Sequence, residues 1–172
     1  RITHQKGPEY FVEAAKLVLK KMDNVRFVMA GSGDRMNAVV EQIARMGIAG
    51  KFHFTGFLHG NEVLRMLRIS DVLVMPSVSE PFGIVPLEAM LCNVPVIISR
   101  QSGVSEIVKN VIKTDFWDTF AIADAIHGLL NYPALSRFLI GRARAEAGNR
   151  NWNHVATEVV KVYLQVLKTH SR

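Results

Sequence analysis

Short apolar runs alternate with amphipathic stretches from Val25 to Thr114, and this alternation constrains the fold more than any other feature of the 172 residues. Val25–Ala30, Lys51–Thr55, Val72–Met75 and Val94–Ser99 read as strands, with Val111–Thr114 as a short edge strand. The runs at Val72 and Val94 are continuous and rich in β-branched residues, as strands buried on both faces require. Strands that alternate with helices imply an α/β fold with a mainly parallel, doubly wound sheet.

The intervening stretches carry helix signals. Glu9 to Met22 places Phe11, Ala14, Ala15, Val18 and Leu19 on one stripe. Asp34 is the expected cap of a helix ending at Met46–Gly47, and Asn61 of a helix over Glu62–Ile69. Asp118 is expected to cap a helix to about Leu130, and Pro133 to open another that runs to about Gly148. Trp152 begins a last amphipathic helix, with Val155, Val159, Val162, Tyr163, Val166 and Leu167 on one face.

Composition narrows the class. With 49% hydrophobic and 21% charged residues the chain is globular. No apolar run approaches the roughly 18 residues of a membrane helix, and no signal peptide opens the sequence. One cysteine, Cys92, allows no internal disulfide and fits a reducing, cytoplasmic compartment. Its simplest role is a buried small hydrophobe. The net charge of +6 is scattered without a basic run, which speaks against nucleic acid. The six histidines are dispersed, and no Cys/His cluster has metal spacing. His53, between Phe52 and Phe54, reads as an ordinary strand histidine. A phosphate-binding P-loop pattern is absent, and Gly31-Ser32-Gly33 lacks the third glycine of a dinucleotide fingerprint.

The chemistry concentrates in Ser77–Met90, SVSEPFGIVPLEAM. Pro81 and Gly83 break regular structure after the Val72–Met75 strand, and a helix over Ile84–Leu91 tolerates Pro86 in its first turn. The N–H groups of Gly83, Ile84 and Val85 then precede the first intrahelical bond and can meet a phosphate. Glu80 lies in the loop and Glu88 one turn into the helix, leaning back toward the same crevice. Two carboxylates beside an anion site suit a nucleotide-sugar. On spacing alone, two solvated surface glutamates are the commoner case.

Glu80-Pro81-Phe82-Gly83 followed by Leu87-Glu88-Ala89-Met90 resembles the E-x7-E signature of retaining glycosyltransferases of family 4, which have the GT-B fold. The resemblance continues in register through Arg1 with Lys6-Gly7, Ala30-Gly31-Ser32-Gly33, Phe54-Thr55-Gly56, Asp71–Ser77, Val94–Ile97 and Trp152. It implies a Rossmann-like three-layer α/β/α domain, the C-terminal donor-binding domain of a GT-B enzyme in carbohydrate biosynthesis. It also implies hexose transfer from a nucleotide-diphosphate sugar, with no metal or cofactor expected. Arg1 and Lys6 would neutralise the leaving diphosphate, together with the amides of Gly83, Ile84 and Val85. Glu80 would orient the sugar hydroxyls and Glu88 would bind the ribose. Gly31, Phe82 and Gly103 would lie close to the donor, and Phe57 and Leu58 would border the base.

Three positions depart from the family pattern. Ser102 and Ser105 stand where a glycine and a proline are usual, and Asn93 stands where glycine usually takes a positive φ. The resemblance also implies a central strand ahead of Arg1 and an N-terminal domain that holds a carbohydrate or lipid acceptor. The chain alone is therefore expected to be inactive. The last helix would dock on this domain or on a second copy, and peripheral attachment at a membrane stays open. A GT-B sugar-nucleotide epimerase and a non-catalytic nucleotide-sugar module are the alternative readings. A glycoside hydrolase using Glu80 and Glu88 fits less well, because an anion-binding helix start has no use there.

Overall fold

Val96, Ile97, Ile98 and Ser99 are all buried, and successive side chains of this strand enter opposite layers. Val96 and Ile98 pack with Ala89, Met90, Val104, Ala143 and Ala147, whereas Ile97 packs with Ala14, Val18, Ile122 and Ile126 on the other side. Helices therefore cover both faces, the arrangement expected of a buried parallel sheet. The computed structural model describes residues 1–148 and 152–170.

In chain order the elements are α1 (Pro8–Leu19), β1 (Phe27–Ala30), α2 (Met36–Arg45), β2 (Phe52–Gly56), α3 (Asn61–Arg68), β3 (Leu73–Met75) and α4 (Val85–Leu91). They continue through β4 (Val96–Ser99), α5 (Val104–Ile107), β5 (Ile112–Thr114), α6 (Thr119–Asn131), α7 (Pro133–Gly148) and α8 (Trp152–His170). The chain has the Rossmann-like α/β fold, and every strand pairing is parallel.

The sheet is divided into β1–β2 and β3–β4–β5, rather than being one continuous ladder. The facing edges of β1 and β3 are held apart by a groove, while α1 packs on α6 and Phe27, Val72, Val74 and Ile97 share a cluster. Side-chain packing, not a hydrogen-bond ladder, joins the two halves.

Several helix starts also differ. Asp34 does not cap α2; the Arg35 and Met36 N–H groups donate to the Ile2 and Gly33 carbonyls at 3.2 and 3.1 Å. Asn61 lies inside α3, whose cap is Gly60 at φ +49°, and Glu62 reaches back to accept from the His59 N–H at 2.9 Å. Strand starts fall later than expected. Val94, for example, donates to the Ala89 carbonyl and so belongs to the turn after α4.

Other local signals hold. Asp118 accepts from the Ala121 N–H at 2.9 Å, α7 runs from Pro133 to Gly148, and Asn93 sits at φ +62°. Cys92 is partly rather than fully buried, and His53 is exposed on β2. Of the two expected docking places for α8, this domain or a second copy, the first is not taken. Val155, Val159, Val162, Tyr163, Val166 and Leu167 are 45 to 66% exposed. The side chain of Trp152 lies outside the described residues. No helix among the described residues is long and apolar enough to cross a membrane.

Candidate functional site

The segment Arg1–Gly7 lies across the carboxyl ends of β1 and β3. At one end the Ile2 N–H donates to the Ser32 carbonyl at 2.9 Å; at the other, the Gln5 carbonyl accepts from Val78 at 2.9 Å. Two glycines permit this close approach. A Cβ on Gly33 would stand 2.2 Å from the Ile2 carbonyl oxygen, and one on Gly7 2.1 Å from that of Pro76. Gly7 also sits at φ +63°, a conformation other residues adopt reluctantly. It closes the short 3-10 turn His4–Lys6 before Pro8 opens α1.

That turn aims Lys6 at the loop after β3, where its ammonium meets the Glu80 carboxylate in a partly buried ion pair. Glu80 is itself held in place, because its carbonyl accepts from the Gly103 N–H at 2.8 Å and it forms an isolated bridge with Ser102. Phe82 accepts from Val104 at 2.8 Å, which completes the clasp. Gly103 is pressed so closely against Pro81 that a Cβ would stand 2.0 Å from its carbonyl oxygen. The serines that depart from the family pattern are buried and bonded: Ser102 Oγ donates to Ser99 and Ser105 Oγ to Arg100, each at 2.7 Å.

Gly83 takes φ +90° and packs against the Glu80 side chain and the Met75 methyl. The helix that follows starts one residue later than expected, at Val85. Leu87 and Glu88 donate their N–H groups to the Ile84 carbonyl, so the amides of Gly83, Ile84 and Val85 precede the first turn of bonds. Phe82, Ile84 and Val85 are exposed, and Glu88 is half-buried on α4.

The far wall comes from β1 and β2. Gly31, at φ +113°, donates to the Gly56 carbonyl at 2.6 Å, which ties the two strand ends together. Arg1, Lys6, Gly31, Phe57, Leu58 and Val85 all border the groove between the sheets. The Phe57 ring is exposed and stacks on His59, with centroids 6.1 Å apart. His59 is not among the candidates, since aromatic pairing in a turn has little sequence signature. Arg1, Lys6, Glu80, Gly31, Gly83 and Gly103 thus converge at one edge. Phe57 borders the groove from the β2 side, whereas Glu88 does not line it.

Residues 1–146 match the family Glycosyl transferases group 1. An uncharacterized glycosyltransferase of Methanocaldococcus jannaschii is 33% identical over 95% of this chain and 43% of its own length. Sucrose-phosphate synthase of Thermosynechococcus elongatus superposes with a TM-score of 0.82 at 26% identity, covering 98% of this chain and 44% of that one. The C-terminal domain of a group 1 glycosyl transferase from Francisella tularensis superposes with a TM-score of 0.79 at 25% identity, over 87% of this chain and 82% of that one. The chain spans about two fifths of the length of the curated relatives it matches. A match through nearly all of α7, on a doubly wound framework that gathers the same motifs at one edge, places this chain in the glycosyl transferases group 1 family.

Proposed function

We propose that this chain is the donor-binding domain of a retaining glycosyltransferase that transfers a hexose from a nucleotide-diphosphate sugar. The observation that carries the reading is the meeting of Lys6 and Glu80 at the carboxyl edge, beside the Gly83 turn and the groove that Arg1 borders. Open α/β sheets bind ligands at that edge, where the strand order reverses.

Each side chain then has a role. Arg1 and Lys6 offset the charge that builds on the diphosphate as the bond from the anomeric carbon to the phosphate oxygen loosens. The electron pair of that bond leaves with the nucleotide diphosphate. The acceptor oxygen bonds to the same face of the anomeric carbon, and its proton goes to the departing phosphate. Glu80 accepts from the sugar hydroxyls once the diphosphate competes for Lys6. Glu88 accepts from the ribose diol, Phe57 and Leu58 border the base, and the Gly31 and Gly103 backbones admit the donor closely. In the whole protein another domain holds the carbohydrate or lipid acceptor.

Calorimetry with UDP-, GDP- and ADP-sugars against free sugars tests this reading. Binding that requires the diphosphate supports it. Equal binding of free sugar, or none of any nucleotide-sugar by the folded chain, rejects it.

A further inference from the structure

The outer face of α7 sorts its side chains into lines. At about 100° of rotation per residue, Ala134, Phe138, Gly141 and Ala145 fall on one line along the helix, and all four are exposed. Arg137 and Arg144 border that line on one side, Leu135 and Arg142 on the other, and these are exposed as well. The opposite face, with Ala143 and Ala147, rests on the core beside Ala89 and Met90 of α4. The one acid of the helix, Glu146, accepts from the Lys109 and Asn110 N–H groups at 2.9 and 3.1 Å, away from the outer line.

Phe138 is the only large side chain on that line and is 56% exposed; Tyr132, just ahead of the helix, is 63% exposed. The Arg142 guanidinium lies over the Phe138 ring, 4.7 Å from its centroid. A nucleic-acid base would need a stacking face of the kind that this cation occupies. A protein partner would have to bring a carboxylate to each arginine, whereas an anionic bilayer presents phosphates everywhere. An aromatic wedge bordered by cations suits the bilayer interface: the ring enters the acyl boundary while the arginine stems lie along apolar surface and their heads reach the phosphates. No described helix can cross a membrane, so such a contact is with the surface alone.

We propose that α7 docks this domain on an anionic lipid surface, with Phe138 and Tyr132 as the apolar anchors and Arg137, Arg142 and Arg144 as the phosphate contacts. The net charge of +6 adds attraction of the same sign. α8 is also exposed and apolar, but its Glu158 and Lys161 pair with each other at 2.7 Å and form no cationic border. The inference does not depend on what the carboxyl edge binds.

Flotation with vesicles of phosphatidylcholine alone, and of phosphatidylcholine mixed with phosphatidylglycerol, tests the docking. Binding is expected to the mixed vesicles only, and it should weaken as salt rises. Arg137→Ala and Arg142→Ala should each weaken it about fivefold, and Phe138→Ser about tenfold or more. Thermal midpoints should stay unchanged in all three, because the sites are exposed. Val159→Asp on α8 should leave vesicle binding intact. No binding to the mixed vesicles, equal binding to phosphatidylcholine alone, or α7 variants that bind like the wild type overturn the proposal. So does a loss caused by Val159→Asp, or a wild-type dimer that Phe138→Ser dissociates, because α8 or a second copy is then the partner surface. A DNA duplex that displaces the vesicles at equal phosphate concentration overturns it too, since charge alone is then being read.

Discussion

The Lys6 ammonium pairs with the Glu80 carboxylate across 74 residues of sequence. The Glu80 side chain is only 12% exposed, so its charge leans on this one cation more than a surface carboxylate would. Lys6→Met is expected to destabilise the fold by about 1–2 kcal/mol, a charged hydrogen bond discounted for partial exposure. It should also weaken any diphosphate ligand. Urea denaturation reads the first effect and calorimetry the second. An unchanged denaturation midpoint would show the pair to be energetically idle.

Glu88→Ala separates binding from folding. Glu88 is half-buried on α4 while the core side of that helix is Ala89 and Met90, so the variant should fold normally. Loss of charge-assisted hydrogen bonds to a ribose diol should weaken nucleotide-sugar binding by about 1.5–3 kcal/mol. Wild-type affinity in a folded variant would remove Glu88 from the site.

Gly103→Ala and Gly47→Ala test two different reasons for glycine. Gly103 caps α5 with helical φ of −58°, but a Cβ there runs into the Pro81 carbonyl. A destabilisation of about 1–3 kcal/mol is expected from the forced backbone shift. Gly47 has open space around it but a φ of +69°, so alanine there should cost about 1–2 kcal/mol by strain alone. Only the Gly103 variant should also disturb the Glu80 loop, which chemical shifts of residues 80–83 would report.

Substitution along α8 should be silent in this chain. Val159→Asp and Tyr163→Asp change exposed positions and are expected to move stability by no more than about 0.5 kcal/mol. A larger loss, measured by thermal unfolding, would mean that the helix packs on the domain in solution.

Asp23 offers a pH readout. A hydrogen bond from Lys51, whose ammonium is 2.6 Å from the carboxylate, holds the Asp23 pKa below its ordinary value. A depressed carboxylate pKa stabilises the fold above the unfolded value, and that contribution is lost as pH falls through the folded value. Lys51→Ala should return the Asp23 midpoint, followed by NMR, to the normal carboxylate range. No upward movement would dissociate the pair.

How far the fold could be read in advance differed from place to place for identifiable reasons. Local chemistry carried its message where one residue decides the geometry: Asp118 as a cap, Asn93 at positive φ, Pro133 as the start of α7. It failed where a distant segment competes. Asp34 has the right chemistry for a cap, yet the Ile2 carbonyl reaches the Arg35 N–H first. The break between β1 and β3 was written in no single run; only the resemblance, which implies a central strand ahead of Arg1, bore on it. The carboxyl-edge cluster was legible through spacing and resemblance. The stack of Phe57 on His59 was not, since aromatic pairing in a turn has little sequence signature.

α4 is seven residues long, too short to be stable by itself, since isolated helices need about 12–15 residues even in favourable sequences. Its back, Ala89 and Met90, rests on Ala143 and Ala147 of α7. Those two alanines, more than fifty positions downstream of Glu88, act as the backstop that sets how deeply the candidate site is walled. Their small size makes them a calibration point: a single bulky replacement at Ala143 would push α4 outward and carry Glu88 with it. Laboratory evolution for altered donor size could therefore succeed through changes that never touch the donor.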